Sequence, residues 1–524
     1  MPGRYQDVKE TDPLLGAGVE SGALYTEVNA SGREDDIMAY PKDKFNFVYL
    51  SFYFLGLGTL LPWNFFITAN DYWMFKLQSN GTNASTSNVT PDPNAEPNSS
   101  TPAPAVQLNQ LQTLFPSTLS VCAMLPNVIF QFLNTVLQQR IREKVRILGS
   151  LVFMILLFVV TEIFVKIDTS SWRELFFSVT MICVVILNCS SAIFQSSVFG
   201  ISASLPPRYT QAVMAGQGMG GVFASLAMIG ALAYSSDPTS SAFAYFMTAI
   251  VVLFLTGVCY SSLRNNKFFA HHRSSGRSSS PDHKEDHKLS RHDEGEILCE
   301  NNDHKLDHPT NEHEDAWVKK ESIADQKSIE DPLTGDSVHI IEPNNVPPLW
   351  LIFKQIWLDC FLVIFTFFVT LACFPSVTAN VRSMTSGYTW NDIYFTPVCC
   401  FLLFNFCDWV GRSMAGYIHV PSKNSRAALV ICVLSRGAFL ALFALCNVQP
   451  RNTPVIFTND IFFIIFMVLF GISNGHLSTL VMQYGPLQVS DPEHASTAGS
   501  MLAFSISVGL SLGAGFSFVL RMAI

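Results

Sequence analysis

Long apolar runs separated by short polar breaks fill the chain from residue 45 onward. A run of about 20 apolar residues, rising about 1.5 Å each, crosses a hydrocarbon core of about 30 Å. Eleven stretches reach that length: 45–69, 111–137, 147–167, 175–203, 211–234, 241–263, 349–379, 392–415, 427–448, 460–484 and 495–521. The pattern predicts an all-α polytopic membrane protein. Two polar segments punctuate it. Residues 1–44 read as a cytoplasmic tail, too long and too polar for a cleavable signal peptide. Residues 264–348 read as a disordered cytoplasmic loop between a six-helix bundle, 45–263, and a five-helix bundle, 349–524.

Basic residues set the expected orientation. Arg140, Arg142, Lys144 and Arg146 follow the second run, and Lys423 and Arg426 follow the eighth. Loops rich in Lys and Arg stay on the cytoplasmic side. The loop 70–110 is rich in Asn, Ser, Thr and Pro and carries four N-x-S/T sequons, at Asn80, Asn83, Asn88 and Asn98. Such sites are glycosylated outside the cytoplasm. Both signals place the N-terminus in the cytoplasm. An odd number of spans then puts the C-terminus on the extracellular or luminal side. Asn188-Cys189-Ser190 is also a sequon, but inside an apolar run, where no glycosylation is expected.

Composition narrows the class. Only 14% of residues are charged and 49% are hydrophobic, against roughly 25% charged in soluble domains. That excludes an ordinary soluble enzyme. A net charge of −9 argues against a nucleic-acid partner, which needs a basic face. All 12 cysteines except Cys299 fall in apolar runs. They read as small packing residues rather than a disulfide framework. Nine of the 12 histidines lie in 264–348. A metal-sensing loop is one reading and a solvated linker the other; the absence of structural-zinc spacing favours the linker. No cofactor or resident metal is expected. In the tail, Glu10 stands four residues before Leu14-Leu15, which resembles the dileucine signals read by clathrin adaptors.

Charges within the spans are costly, about 2.5–3.5 kcal/mol each on insertion scales, so they mark functional candidates. Asp408 and Arg412 lie four apart in the eighth run, on one helix face. A carboxylate accepts from adjacent hydroxyls and a guanidinium donates a planar fork, so the pair suits a polyhydroxyl ligand. The plainer reading is a structural ion pair. Asn405 stands one turn earlier. Gln195 sits mid-run in the fourth span, where an amide both donates and accepts. Trp63 follows Pro62, where a broken turn is expected. Glu162 and Lys166 read as a snorkelling pair. Arg436 lies inside the ninth run with no evident partner. His476 reads as a satisfied core histidine. Glycines recur at packing spacing, among them Gly58, Gly216 and Gly218.

Several stretches are specific. Gly56-Leu57-Gly58-Thr59-Leu60-Leu61-Pro62-Trp63-Asn64-Phe65-Phe66 lies in the first run. Phe194-Gln195-x-x-x-Phe199-Gly200 and Ala215-Gly216-Gln217-Gly218 lie in the fourth and fifth. Phe404-Asn405-x-x-Asp408-Trp409-x-Gly411-Arg412 lies in the eighth, and Ser473-Asn474-Gly475 in the tenth. Together they resemble the equilibrative nucleoside transporter family. The resemblance implies eleven helices in a major-facilitator-like arrangement of six plus five. It implies that Asp408 and Arg412 hold the ribose hydroxyls and that Gln195 reads the nucleobase. Trp63, Leu60, Met124 and Leu510 would form apolar walls, supported by Asn64 and Asn405. Ile67 stands where the family often has Met, and His476 where many members have Tyr. The stretches 67–77 and 165–172 and the dileucine tail resemble the lysosomal member. Gln195 and the His-rich loop resemble the plasma-membrane members.

The expected function is facilitative transport of purine and pyrimidine nucleosides, with nucleobases as further cargo, by alternating access. No ATP or sodium site is evident. The expected partners are nucleosides, the lipid bilayer and clathrin adaptors. The expected location is the plasma membrane, with the late endosome or lysosome as the alternative. A proton-linked lysosomal exporter is the alternative function. A metal-ion carrier is more distant, since the spans offer only His476 and His419. A receptor or scaffold would leave the buried Asp/Arg pair unexplained, and no nucleophile–base or metal constellation suggests an enzyme.

Overall fold

The computed structural model describes residues 42–78, 109–234, 237–275, 349–385, 387–451 and 453–524. Glu10, Leu14, Leu15, the sequons Asn80, Asn83, Asn88 and Asn98, and most of 264–348 lie outside the described residues. Among the described residues the regular structure is helical, and the β-pairing is one isolated bridge between Val381 and Val448. Fourteen α-helices run in chain order: α1 Phe47–Thr68, α2 Asn70–Lys76, α3 Gln110–Leu137, α4 Glu143–Lys166, α5 Arg173–Ala203, α6 Pro207–Tyr234 and α7 Pro238–Leu263. Then come α8 Lys267–Ser275, α9 Leu349–Cys373, α10 Leu403–Met414, α11 Arg426–Ser435, α12 Ala438–Ala444, α13 Asp460–Tyr484 and α14 Ala495–Ala523.

Eleven helical stretches among these residues are long and apolar enough to span a membrane, from Lys44–Phe66 to Pro492–Ala523. Their number and order agree with the apolar runs. Helices suit this setting because each satisfies its own backbone where no water can. Phe153, Leu156, Ile182, Phe254 and Phe518 stand exposed, as lipid-facing positions require. The division between the fourth and fifth spans falls at Pro206-Pro207, and Pro207 opens α6. Proline costs nothing there, because the first helical N–H has no partner to lose. A capping box starts α3: Asn109 Oδ1 accepts from Gln112 N at 2.8 Å, and Gln112 Oε1 accepts from Asn109 N at 3.0 Å.

Three spans depart from plain helices. The first runs unbroken through Pro62 and turns only at Ala69, before α2; the break expected at Pro62 is absent. The eighth enters through π-helical turns, Trp390–Tyr394 and Thr396–Leu402, before α10. Pro397 lies within them and donates no backbone bond. The ninth is divided at Arg436-Gly437 into α11 and α12.

Glycine governs three close helix pairs. A Cβ on Gly216 of α6 would strike Tyr53 O of α1. One on Gly513 of α14 would strike Phe368 O of α9. One on Gly475 of α13 would strike Asp408 O of α10. Missing side chains let these backbones approach and pack. Gly58 faces Thr256 of α7, and Gly218 faces Trp409 and Arg412 of α10.

Hydrogen bonds between helices before residue 264 and helices after 348 gather toward one end. There Gln138 Nε2 donates to Thr497 Oγ1 (2.8 Å), and Ser500 Oγ to Gln138 Oε1 (2.7 Å) and Ser196 O (3.1 Å). On the opposite flank Gln211 Nε2 donates to Arg412 O (3.2 Å), Trp409 Nε1 to Tyr53 Oη (3.1 Å) and Gln483 Nε2 to Pro207 O (3.1 Å). This end carries the Arg140–Arg146 turn.

The expected Glu162–Lys166 pair is not formed. Lys166 Nζ lies 4.3 Å from the ring centre of Phe243. Glu162 is buried, and neither carboxylate oxygen has a hydrogen-bond partner among the described residues. The cationic face-on contact with the ring takes the lysine instead. The eleven cysteines among the described residues are all free.

Candidate functional site

Asp408 and Arg412 meet on one face of α10, one turn apart. Arg412 Nε donates to Asp408 Oδ2 at 2.7 Å, and both side chains are buried. A buried pair repays its desolvation only where further hydrogen bonds complete both partners. They are present here. Asn474 Nδ2 of α13 donates to Asp408 Oδ1 at 2.6 Å. Arg412 Nη1 donates to Met214 O and to Gln217 Oε1 of α6, each at 3.3 Å. Gln217 Nε2 passes the chain to Thr59 Oγ1 of α1 at 2.9 Å. Thr59 O accepts from Ser191 Oγ of α5, one turn before Gln195. The network therefore ties α13 and α10 to α6, α1 and α5.

Arg412 Nη2 has no hydrogen-bond partner among the described residues, and each Asp408 oxygen accepts only one bond there. The pair can thus still donate from the guanidinium edge and accept at the carboxylate. Vicinal hydroxyls, each both donor and acceptor, match that offer.

A second cation supports the carboxylate indirectly. Arg436, buried at the α11–α12 break, donates from Nη2 to Thr370 Oγ1 (3.0 Å) and Asn474 Oδ1 (3.3 Å). Its Nη1 donates to Phe470 O (3.0 Å) and to Ser473 Oγ. The guanidinium also lies over the Phe470 ring, 4.9 Å from its centre. Thr370 Oγ1 stands 2.7 Å from both Asn474 Oδ1 and Thr366 O, and its single proton serves one of them at a time. The Asn474 oxygen accepts from Arg436, which can only donate, and this turns its amide nitrogen toward Asp408. The partner that the sequence withheld for Arg436 is a set of main-chain, hydroxyl and amide oxygens.

Gln195 belongs to a separate polar cluster: its Oε1 accepts from Gln131 Nε2 of α3 at 2.7 Å. The described hydrogen bonds do not join Gln195 directly to the ion pair. Asn405 donates from Nδ2 to Ser225 Oγ of α6 at 2.9 Å and abuts Gly221. Asn64 of α1 is partly buried and faces Gly220 of α6. Leu60, Trp63, Met124 and Leu510 are all partly buried, and Trp63 and Leu510 pack against the larger apolar core. His476 is partly buried, with Nε2 2.8 Å from Val420 O and a buried Nδ1 without a partner. Reasoning from sequence missed Gln217, Thr59, Asn474 and Gln131. Their signal was a polar side chain inside an apolar run.

Eleven spans around a buried polar network of this kind have the build of a polytopic membrane transporter. A model of the nucleoside transporter family matches residues 179–522. Human equilibrative nucleoside transporter 1 is 40% identical over 490 residues, which cover 92% of this chain and 98% of that protein. Rat equilibrative nucleoside transporter 3 is 36% identical over 485 residues, covering 92% and 90%. The chain belongs to the nucleoside transporter family. A solved E. coli fucose:proton symporter aligns with 92% of this chain and 93% of its own, at a TM-score of 0.46 and 9% identity.

Proposed function

We infer that this protein carries purine and pyrimidine nucleosides across a membrane down their gradient, with Asp408 and Arg412 binding the ribose. Family membership supports the cargo. The observation that carries the site is the ion pair itself, whose partners leave Arg412 Nη2 and the Asp408 lone pairs open to hydroxyls. Gln195 reads the nucleobase. Trp63, Leu60, Met124 and Leu510 flank it as apolar walls, and Asn64 and Asn405 brace the helices around it. Nucleobases alone are poorer cargo, because they lack the hydroxyls. Saturable uptake of labelled uridine and adenosine by liposomes holding the protein tests this reading.

In this account the spans of 45–263 and of 349–524 act as two bundles that rock about the site, exposing it alternately. The bonds among Gln138, Thr497, Ser500 and Ser196 close one side and must break for it to open. Gly218, which faces Trp409 and Arg412 of α10, provides a close, smooth contact between the bundles, while Gly58 and Gly216 pack α1 against α7 and α6 within the first. The N-terminus faces the cytoplasm and the C-terminus the other side, with Asn80, Asn83, Asn88 and Asn98 glycosylated. The plasma membrane is the proposed location. Glu10, Leu14 and Leu15 offer clathrin adaptors a route by which the protein reaches late endosomes or lysosomes. Imaging after Leu14→Ala and Leu15→Ala tests this; an unaltered distribution removes the signal's role.

A further inference from the structure

The hydrogen bonding of Gln195 is one-sided. Its Oε1 accepts from Gln131 Nε2 at 2.7 Å, while its own Nε2 has no partner among the described residues. Gln131 is fully buried on α3. It spends its second N–H on Asn127 Oδ1 at 3.0 Å. That oxygen also accepts from Ser507 Oγ of α14 at 3.4 Å. The Oε1 of Gln131 is buried and has no hydrogen-bond partner among the described residues.

An amide carries two donors on nitrogen and two lone pairs on oxygen, and the surrounding network decides which end faces which neighbour. Here both Gln131 donors are used and its carbonyl is idle. Rotating the Gln131 amide would reverse the sense of every bond. Gln195 would turn to donate inward. Asn127 would also have to turn, losing the bond from Ser507. The idle group would then be an NH₂ in place of a carbonyl. Buried orphan N–H groups are rarer, and so costlier, than under-used carbonyls. The observed sense therefore wins, and it leaves Gln195 with its NH₂ as the free end.

We propose that Gln131 is a specificity-determining residue: by holding the Gln195 oxygen it presents the Gln195 NH₂ to the nucleobase, favouring an exocyclic carbonyl over an amino group. This rests on the reading of Gln195 as the base-recognising residue. Uridine and cytidine differ at such a position, as do inosine and adenosine. A donor meets the carbonyl of the first member of each pair and opposes the amino group of the second.

The test is the ratio of KM for the amino to the keto nucleoside in each pair, measured as saturable uptake with protein at the membrane quantified. Gln131→Glu keeps the shape but can only accept when ionised, so it turns Gln195 to donate inward and to face the base with its oxygen. The ratio should fall about fivefold in both pairs, the effect of one neutral hydrogen bond. Gln131→Met removes the constraint without adding charge, and the ratio should fall in the same direction by less. Ratios unchanged in the Met variant overturn the proposal, even if the Glu variant fails to reach the membrane. Wild-type protein preferring cytidine to uridine overturns it with no variant at all. Gln195→Met separates the two readings. If it moves the ratios and the Gln131 variants do not, Gln131 sets no preference and Gln195 still reads the base. If it leaves them unmoved, the base-reading role fails and the proposal with it.

Discussion

Asn474 of α13 donates to Asp408 of α10 across 2.6 Å, on the oxygen that Arg412 leaves free. The carboxylate is therefore held from two helices, and its rotamer does not depend on the intrahelical pair alone. Because the Asn474 oxygen accepts from Arg436, which can only donate, the direction of the bond to Asp408 is fixed.

Asn474→Asp preserves the acceptor for Arg436 and Thr370 but sets a carboxylate against Asp408. Two carboxylates in contact do not both ionise readily. Losing a hydrogen bond to a charged group costs about 1.5–3 kcal/mol, so KM for uridine should rise about tenfold or more. Thermal stability should change little, since Arg436 gains a countercharge. A KM within twofold of wild type would contradict the bracing role.

Arg436→Met removes the donor from Phe470 O, Ser473, Thr370 and Asn474 together. Buried groups left without partners cost about 1–3 kcal/mol each, so the purified protein should unfold at a clearly lower temperature. Lysine should not restore it, because a single ammonium lacks the planar fork that reaches four acceptors. Thermal unfolding in detergent reads both effects.

Gly475→Ala should abolish expression at the membrane, because its Cβ would strike Asp408 O across the α10–α13 contact. Gly149 in α4 has nothing within 4 Å of a Cβ, so Gly149→Ala should express and transport as wild type. Immunoblots of membrane fractions, with uptake, check the contrast.

Gln138→Ala deletes the bonds to Thr497 and Ser500 at the closed end. Each neutral hydrogen bond contributes about 1 kcal/mol, so the population open at that end should rise about five- to thirtyfold. Ser202 is buried at the C-terminal end of α5, the end that carries these bonds. A Ser202→Cys reporter should label faster with an impermeant maleimide applied from that side. Unchanged labelling would mean these bonds do not hold the end shut.

The spans were legible because lipid enforces a simple rule: about 20 apolar residues in a row can hardly do anything else. The Asp408–Arg412 pair was legible from the cost of charge in lipid. Asn474, Gln217 and Thr59 were not read as parts of a network, because each finds its partner on a helix distant in sequence. Arg436 looked unpartnered because its acceptors are hydroxyl, amide and main-chain oxygens, which carry no charge signature. The spacing of Glu162 and Lys166 suggested a pair, yet Phe243 on another helix takes the lysine. Pro62 suggested a break, yet α1 runs on through it to Thr68.

The central claim is that the buried pair on α10 binds the nucleoside. The most direct measurement is saturable uridine uptake by Asp408→Ala, with the amount of protein at the membrane determined alongside. The account predicts that saturable flux disappears while the protein still reaches the membrane. Uptake with unchanged KM and maximal rate would contradict it.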